Sequence, residues 1–127
     1  MKCTSSTFTA TVTANPSAPG TATETVSGQT FDKSSCTSNV VGVLGVSSIT
    51  VDNLPYTTSV ASDGTLTVSP AAGSTIQTTV KLSTLLGSIT CVYQAPSLTG
   101  TSSNTDNRIN CPNQSSPKLS DSACAFI

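Results

Sequence analysis

Residues 49–68 read Ile49-Thr50-Val51-Asp52-Asn53-Leu54-Pro55-Tyr56-Thr57-Thr58-Ser59-Val60-Ala61-Ser62-Asp63-Gly64-Thr65-Leu66-Thr67-Val68. Apolar residues alternate with polar ones through this stretch, the period of a half-buried β-strand. Asp63-Gly64, flanked by alternating residues, is the strongest short-range hairpin signal in the chain, because that pair accepts the positive backbone angles of a tight turn. Upstream of it the parity changes. Ile49 and Val51 share one face, whereas Leu54, Tyr56, Thr58 and Val60 continue in the opposite parity. A slip of one residue at Asp52-Asn53-Leu54-Pro55 implies a β-bulge or a bend.

The same period recurs on both sides, and no stretch carries a helical stripe. Phe8, Ala10 and Val12 alternate with Thr7, Thr9, Thr11 and Thr13, and Asn15-Pro16 with Ala18-Pro19-Gly20 then breaks the strand. Thr21 to Thr30 reads as a second strand, and Val40 to Val46 as a strand or a buried loop. Ile76, Thr78, Val80 and Leu82 form another, with Lys81 facing outward, and Leu85-Leu86-Gly87 turns the chain into Ile89, Cys91 and Tyr93. After Leu98 the composition shifts to Ser, Thr, Asn and Asp through Asn110, which reads as a loop. Leu119 to Ile127 closes as a packed final strand. The expectation is an all-β, immunoglobulin-like (Greek-key) sandwich of seven or eight strands forming one domain over residues 1–127. The chain has no tryptophan, so the Trp-on-disulfide hallmark of antibody domains is absent.

Serine and threonine make up about a third of the chain, and Leu, Ile, Val and Phe only about a fifth, near the level at which chains stay disordered. A net charge of −1 removes the self-repulsion that disorder normally requires. The missing cohesion falls to cysteines. Cys3, Cys36, Cys91, Cys111 and Cys124 are widely spaced, with no CxxC and no histidine, which fits disulfides better than zinc. That implies an oxidising compartment: secreted, extracellular or on the cell surface. Met1-Lys2-Cys3 then reads as a mature secreted domain behind an added start residue. If the first two strands form a hairpin through Pro16 to Gly20, Cys3 comes beside Cys36; Cys91 is then met by Cys111, and Cys124 is the odd thiol. The competing arrangement joins Cys36 to Cys91 across the sandwich and Cys111 to Cys124, leaving Cys3 free. Each bridge contributes roughly 2–4 kcal/mol.

From Cys36 to Cys111 a series of short motifs follows one order: Cys36-Thr37, Asn53-Leu54-Pro55-Tyr56, Gly64-Thr65-Leu66-Thr67-Val68, Leu85-Leu86-Gly87, Thr90-Cys91-Val92-Tyr93, Leu98-Thr99-Gly100 and Cys111-Pro112. In this order the chain resembles small secreted actinobacterial proteins of uncharacterised function. The resemblance implies a secreted, disulfide-bonded β-domain and no particular activity. Cys124 stands where such proteins carry an ordinary apolar strand residue.

Candidate chemistry is sparse. Without histidine there is no Ser-His-Asp or Cys-His site. Ser115-Ser116-Pro117-Lys118 has the Ser-x-x-Lys spacing of penicillin-recognising enzymes, but in a loop-like context rather than at a helix start. Glu24, Asp32, Asp52, Asp63, Asp106 and Asp121 are isolated acids in mostly turn contexts, read as solvated turn residues rather than a glycosidase pair. Asn104, Asp106 and Asn107 offer oxygen ligands to calcium without the acids of a full cage. Lys81 invites an isopeptide bond to asparagine, against the simpler reading of an exposed strand lysine. Thr7, Thr9, Thr11 and Thr13 resemble a row of an ice-binding surface, but such a surface requires several stacked strands repeating the array, and only Thr21-Thr23-Thr25 and Thr65-Thr67 add to it, at irregular spacing, so the row reads as the solvent-facing side of a strand. Asn113-Gln114-Ser115 is a glycosylation sequon.

No catalytic residue, cofactor or metal is assigned. The five lysines and arginines are scattered, which gives no basis for nucleic-acid binding, and no apolar run reaches the length of a membrane span. The expected function is a secreted or cell-surface, non-enzymatic binding or structural module. Its partner would be a protein, a cell-wall glycan or another copy of itself. The alternatives are a subunit of an extracellular fibre or surface layer, joined through β-edges or Cys124, and a small secreted enzyme inhibitor.

Overall fold

The computed structural model describes residues 2–38, 40–103, 105–106 and 108–110. In chain order the strands are β1 (Lys2–Cys3), β2 (Ser6–Ala14), β3 (Thr21–Phe31), β4 (Cys36–Thr37), β5 (Val43–Asp52), β6 (Tyr56–Ala61), β7 (Thr65–Ser69), β8 (Ile76–Thr84), β9 (Gly87–Ala95), β10 (Leu98–Ser103) and β11 (Arg108–Asn110). A 3-10 turn, Lys33–Ser35, precedes β4. The described chain is thus all-β, with eleven strands instead of seven or eight. Two of the additional strands, β1 and β4, are only two residues long and pair with each other. The others, β10 and β11, occupy the Ser/Thr/Asn stretch read as a loop, a correction with a simple cause. Hydroxyl and amide side chains bond the local backbone as readily as they decorate a strand. The pairing of β10 with β7 decides for the strand.

Two main sheets result, one of six strands in the order β11-β10-β7-β6-β3-β2 and one of three in the order β5-β8-β9. The hairpin signals hold. Asp63-Gly64 joins β6 to β7, with Gly64 at φ +91° and its N–H bonded to Ala61 O at 2.9 Å. Gly87, at φ +111°, closes the β8–β9 turn. The parity slip at Asp52–Pro55 is a bend rather than a bulge: Asn53 takes φ +61°, Leu54-Pro55 is cis, and the chain passes from the three-stranded sheet into the six-stranded one. Val51 and Tyr56 therefore enter the same core from opposite layers. Seven strands, β2, β3 and β5 to β9, divide four and three between the layers. Around β3 the order is β2-β3-β6-β7, whereas a constant-type immunoglobulin sheet, A-B-E-D, would place β7 next to β3.

The layers meet through Val26, Tyr56, Ile76 and Ala95, with Ala10, Val51, Leu54, Val68 and Leu98 packed around them. A second cluster, Val80, Leu82 and Cys91, is packed by Val43, Val46, Ile49, Ile89 and Tyr93, all from the three-stranded sheet. Burying a Leu or Val side chain is worth about 1.5–3 kcal/mol. With eight apolar residues buried among those described, the core is as thin as the composition implies.

One disulfide closes among the described residues, Cys3–Cys36. It forms as the hairpin argument requires: the β2–β3 pairing returns the chain, and β1 and β4 extend it so that Cys3 opposes Cys36. That excludes the competing Cys36–Cys91 pairing. Cys91 has no exposure and is not free. Its expected partner Cys111, the odd thiol Cys124 and the expected final strand Leu119 to Ile127 lie outside the described residues.

Candidate functional site

Alternation gives the six-stranded sheet two chemically distinct faces. On the inner face, only part of which the three-stranded sheet covers, the strands form a groove of about 290 Å³. Its floor holds Val26, Tyr56 and Leu66, all buried. At its mouth stand Phe8 on β2 and Ile109 on β11, 51% and 50% exposed. Glu24 is the one charged residue lining it, placed by register between Val12 and Thr58. An apolar concavity with a single carboxylate can accept an apolar group that carries one positive charge.

The outer face carries hydroxyls. Register aligns Thr11, Thr25, Thr57 and Ser69 across β2, β3, β6 and β7. A second rank runs Thr23, Ser59, Thr67 and Thr99 across β3, β6, β7 and β10. Thr13 joins its end, with its Oγ1 3.0 Å from that of Thr23. Thr65, Thr101 and Asn110 begin a third.

On the three-stranded sheet, the side chains pointing away from the core form a polar network. The Asp52 carboxylate accepts from Gln77 Nε2 at 2.9 Å and Thr79 Oγ1 at 2.5 Å, and Gln94 Nε2 donates to Gln77 Oε1 at 2.5 Å. The buried Tyr56 hydroxyl ties the layers together: it donates to the Asp52 carbonyl and accepts from Gln77 N at 3.1 Å. Burial holds the Tyr56 phenol above its ordinary pKa of 10.0, and Tyr93 is shifted the same way for the same reason.

The remaining candidates are dispersed. Asp32 caps the 3-10 turn, accepting from Ser34 N and Oγ at 3.0 and 2.6 Å, and these bonds lower its pKa. Asp63 accepts from Thr65 N at 2.8 Å in the β6–β7 turn and is lowered likewise. Asp106 is exposed in the β10–β11 turn. Lys81 is exposed and opposed by Thr90 and Ser48, with no asparagine across from it. No group of three or more His, Cys, Asp or Glu positioned to hold a metal occurs among the described residues. Asn104, Asn107, Asn113, Ser115, Lys118 and Asp121 lie outside them. No described helix is long and apolar enough to cross a membrane. Sequence reasoning passed over Phe8, Leu66 and Ile109 as a set, because only strand register brings them to one groove. The threonine rows of single strands were legible, and their alignment across strands depends on the same register.

No protein-family model, no curated protein and no solved structure matches the chain.

Proposed function

We propose that the protein works outside the cell, secreted or held at its surface, as a non-enzymatic binding module whose inner-face groove takes an extended segment of a protein partner. The observation that carries this reading is the groove. Its floor is apolar, Phe8 and Ile109 stand half exposed at the rim, and Glu24 supplies one negative charge. The complementary segment is apolar with a single basic side chain. The Cys3–Cys36 bond is compatible with an extracellular setting. Of the immunoglobulin-like expectation, the proposal retains the four-and-three division of strands.

A displayed library of random extended peptides, selected on the purified protein, tests the reading. Enrichment of apolar sequences with one Lys or Arg is expected, lost in the Phe8→Ser/Ile109→Ser variant and weakened in Glu24→Gln. No enrichment, or binding indifferent to these substitutions, overturns it. Retention on isolated cell-wall glycan that survives Phe8→Ser/Ile109→Ser moves the site off the groove and overturns it too.

A second reading, assembly into a fibre or surface layer, is favoured by β2. This edge strand is exposed at eight of its nine residues, Val12 among them at 61%, and a long exposed edge is a template for pairing. Electron microscopy of the concentrated protein decides: filaments abolished by Val12→Lys support assembly, and monodisperse particles refute it.

A further inference from the structure

We propose that the apolar tip at one end of the three-stranded sheet inserts into the interfacial layer of a phospholipid bilayer, with lysines behind it set against the lipid phosphates. The tip and the groove lie at opposite ends of β8. Ile76, which opens that strand, lines the groove. Thr84, which ends it at the tip, stands about 26 Å further along. The site is therefore independent of the groove.

Four large apolar side chains meet water at this tip. Val41 and Leu86 are 99% and 100% exposed, Leu44 and Leu85 67% and 73%. Strand pairing makes them neighbours. Val43 opposes Thr84, and Leu85 N donates to the Gly42 carbonyl at 3.0 Å, so the β8–β9 turn lies beside the residues that lead into β5. Leu44 is the extra residue of a β-bulge between Val43 and Gly45, a device that re-aims a side chain.

Three observations select a bilayer as the partner. The tip protrudes: its side chains crown a hairpin turn and the adjoining loop rather than lining a hollow, and a fluid lipid layer accepts such knobs without a matching socket. Its polar groups are already bonded. Val43 N donates to the Val40 carbonyl at 3.2 Å, Leu86 N to Thr84 Oγ1 at 3.2 Å, and Thr84 Oγ1 to the Gly87 carbonyl at 2.6 Å. Entry into a layer poor in water leaves these groups satisfied, as a lipid environment requires. Charge is arranged to match as well. No charged residue occurs in 34–51 or 82–105, the segments that carry the tip. Lysines stand one step behind it. Lys81 is exposed on β8 three residues before Thr84, about 10 Å back. Lys33 Nζ reaches the Ser47 carbonyl at 3.4 Å, and Ser47 Oγ lies 2.7 Å from Ser83 Oγ on the neighbouring strand. Apolar groups of interfacial proteins enter the headgroup boundary by about 5–10 Å, which brings cations at that height level with the phosphates. The nearby acids do not oppose them: Asp32 is engaged by Ser34, and Asp52 sits at the far end of β5.

The test is co-flotation of the full chain with vesicles of phosphatidylcholine and phosphatidylglycerol, and with vesicles of phosphatidylcholine alone. The wild type is expected to float with both and more strongly with the anionic mixture, the difference disappearing at high salt. Leu85→Ser/Leu86→Ser should lower partitioning about a hundredfold on both, and Lys81→Gln about fivefold on the anionic mixture only. Leu86→Trp places the chain's sole tryptophan at the tip; its emission should shift to the blue with vesicles and be quenched by brominated acyl chains. Thermal melting confirms that the variants are folded. Phe8→Ser/Ile109→Ser should leave flotation unchanged, so failure of the groove reading and of this one are distinguishable. A wild type that stays in solution, or flotation undiminished by Leu85→Ser/Leu86→Ser, overturns the proposal. So does a dimer in sedimentation that the same double substitution abolishes without any vesicle binding, since the tip is then an interface between copies.

Discussion

Removing the Cys3–Cys36 bond in a Cys3→Ser/Cys36→Ser variant is expected to cost about 3.8 kcal/mol of stability. The two residues are 33 apart, so the bond closes a loop of about 34 residues in the unfolded chain; the chain-entropy relation then gives roughly −12.6 cal/mol/K, or about 3.8 kcal/mol at 25 °C. The native state offers little to compensate. β1 and β4 are two residues each, and backbone bonds at 3.1 and 3.2 Å (Asp32 N to Ser5 O, Thr4 N to Ser35 O) tie that end of the hairpin to the chain beside them. Urea unfolding followed by circular dichroism measures the loss. Substitution is preferable to a reducing agent, which would act on every disulfide in the protein rather than on this one. The variant should also show a steeper dependence on urea, because its uncrosslinked unfolded state exposes more surface. Near this size 1 kcal/mol corresponds to about 4 °C, so the melting temperature should fall by roughly 15 °C. A loss below about 1 kcal/mol would refute the reasoning, since it would mean that β1 and β4 fray locally and the bond constrains nothing the core depends on.

Other expectations concern single groups. Tyr56→Phe removes the hydroxyl that joins β6 to β5 and β8 and should cost about 1–3 kcal/mol in urea unfolding, since it also leaves the Gln77 N–H short of its acceptor; an unchanged midpoint would contradict that. Gly64→Ala places a Cβ 3.0 Å from Ser102 O at a φ of +91° and should cost about 1–2 kcal/mol, with faster amide exchange at Ser102, whose N–H bonds Gly64 O. The Asp32 and Asp63 carboxyls titrate below their ordinary value of 3.8 in the folded protein. The stability they contribute is therefore present above that value and lost as pH falls through the depressed pKa values. Carboxyl NMR titration gives the midpoints, and midpoints at or above 3.8 would contradict the capping and turn bonds.

Local signals carried much of the fold. Asp63-Gly64 and Leu85-Leu86-Gly87 are hairpin turns because their backbone demands are met within a few residues. The Cys3–Cys36 pairing was legible because a single hairpin suffices to bring those residues together. The sequence is ambiguous where a local feature has two non-local explanations. The slip at Asp52–Pro55 is equally a bulge in one strand or a change of sheet, and only the layer that receives Tyr56 separates them. The stretch from Leu98 to Asn110 is polar enough for a loop, and β7 beside it makes it strand.

The candidate surfaces show the same division more sharply. Which side chains share a face follows from the two-residue period of a strand, so Phe8 with Val12, or Thr11 with Thr13, is written in the sequence itself. Which strands lie side by side, and in what register, is settled by pairing between distant segments. That pairing depends on how the whole set of apolar faces is buried. The sequence alone therefore determined a β-protein of low net charge, with disulfides and alternating faces. Only the tertiary structure gathered Phe8, Leu66 and Ile109 around one groove and aligned Thr23, Ser59, Thr67 and Thr99 into one rank, because alternation orients a side chain without choosing its neighbours.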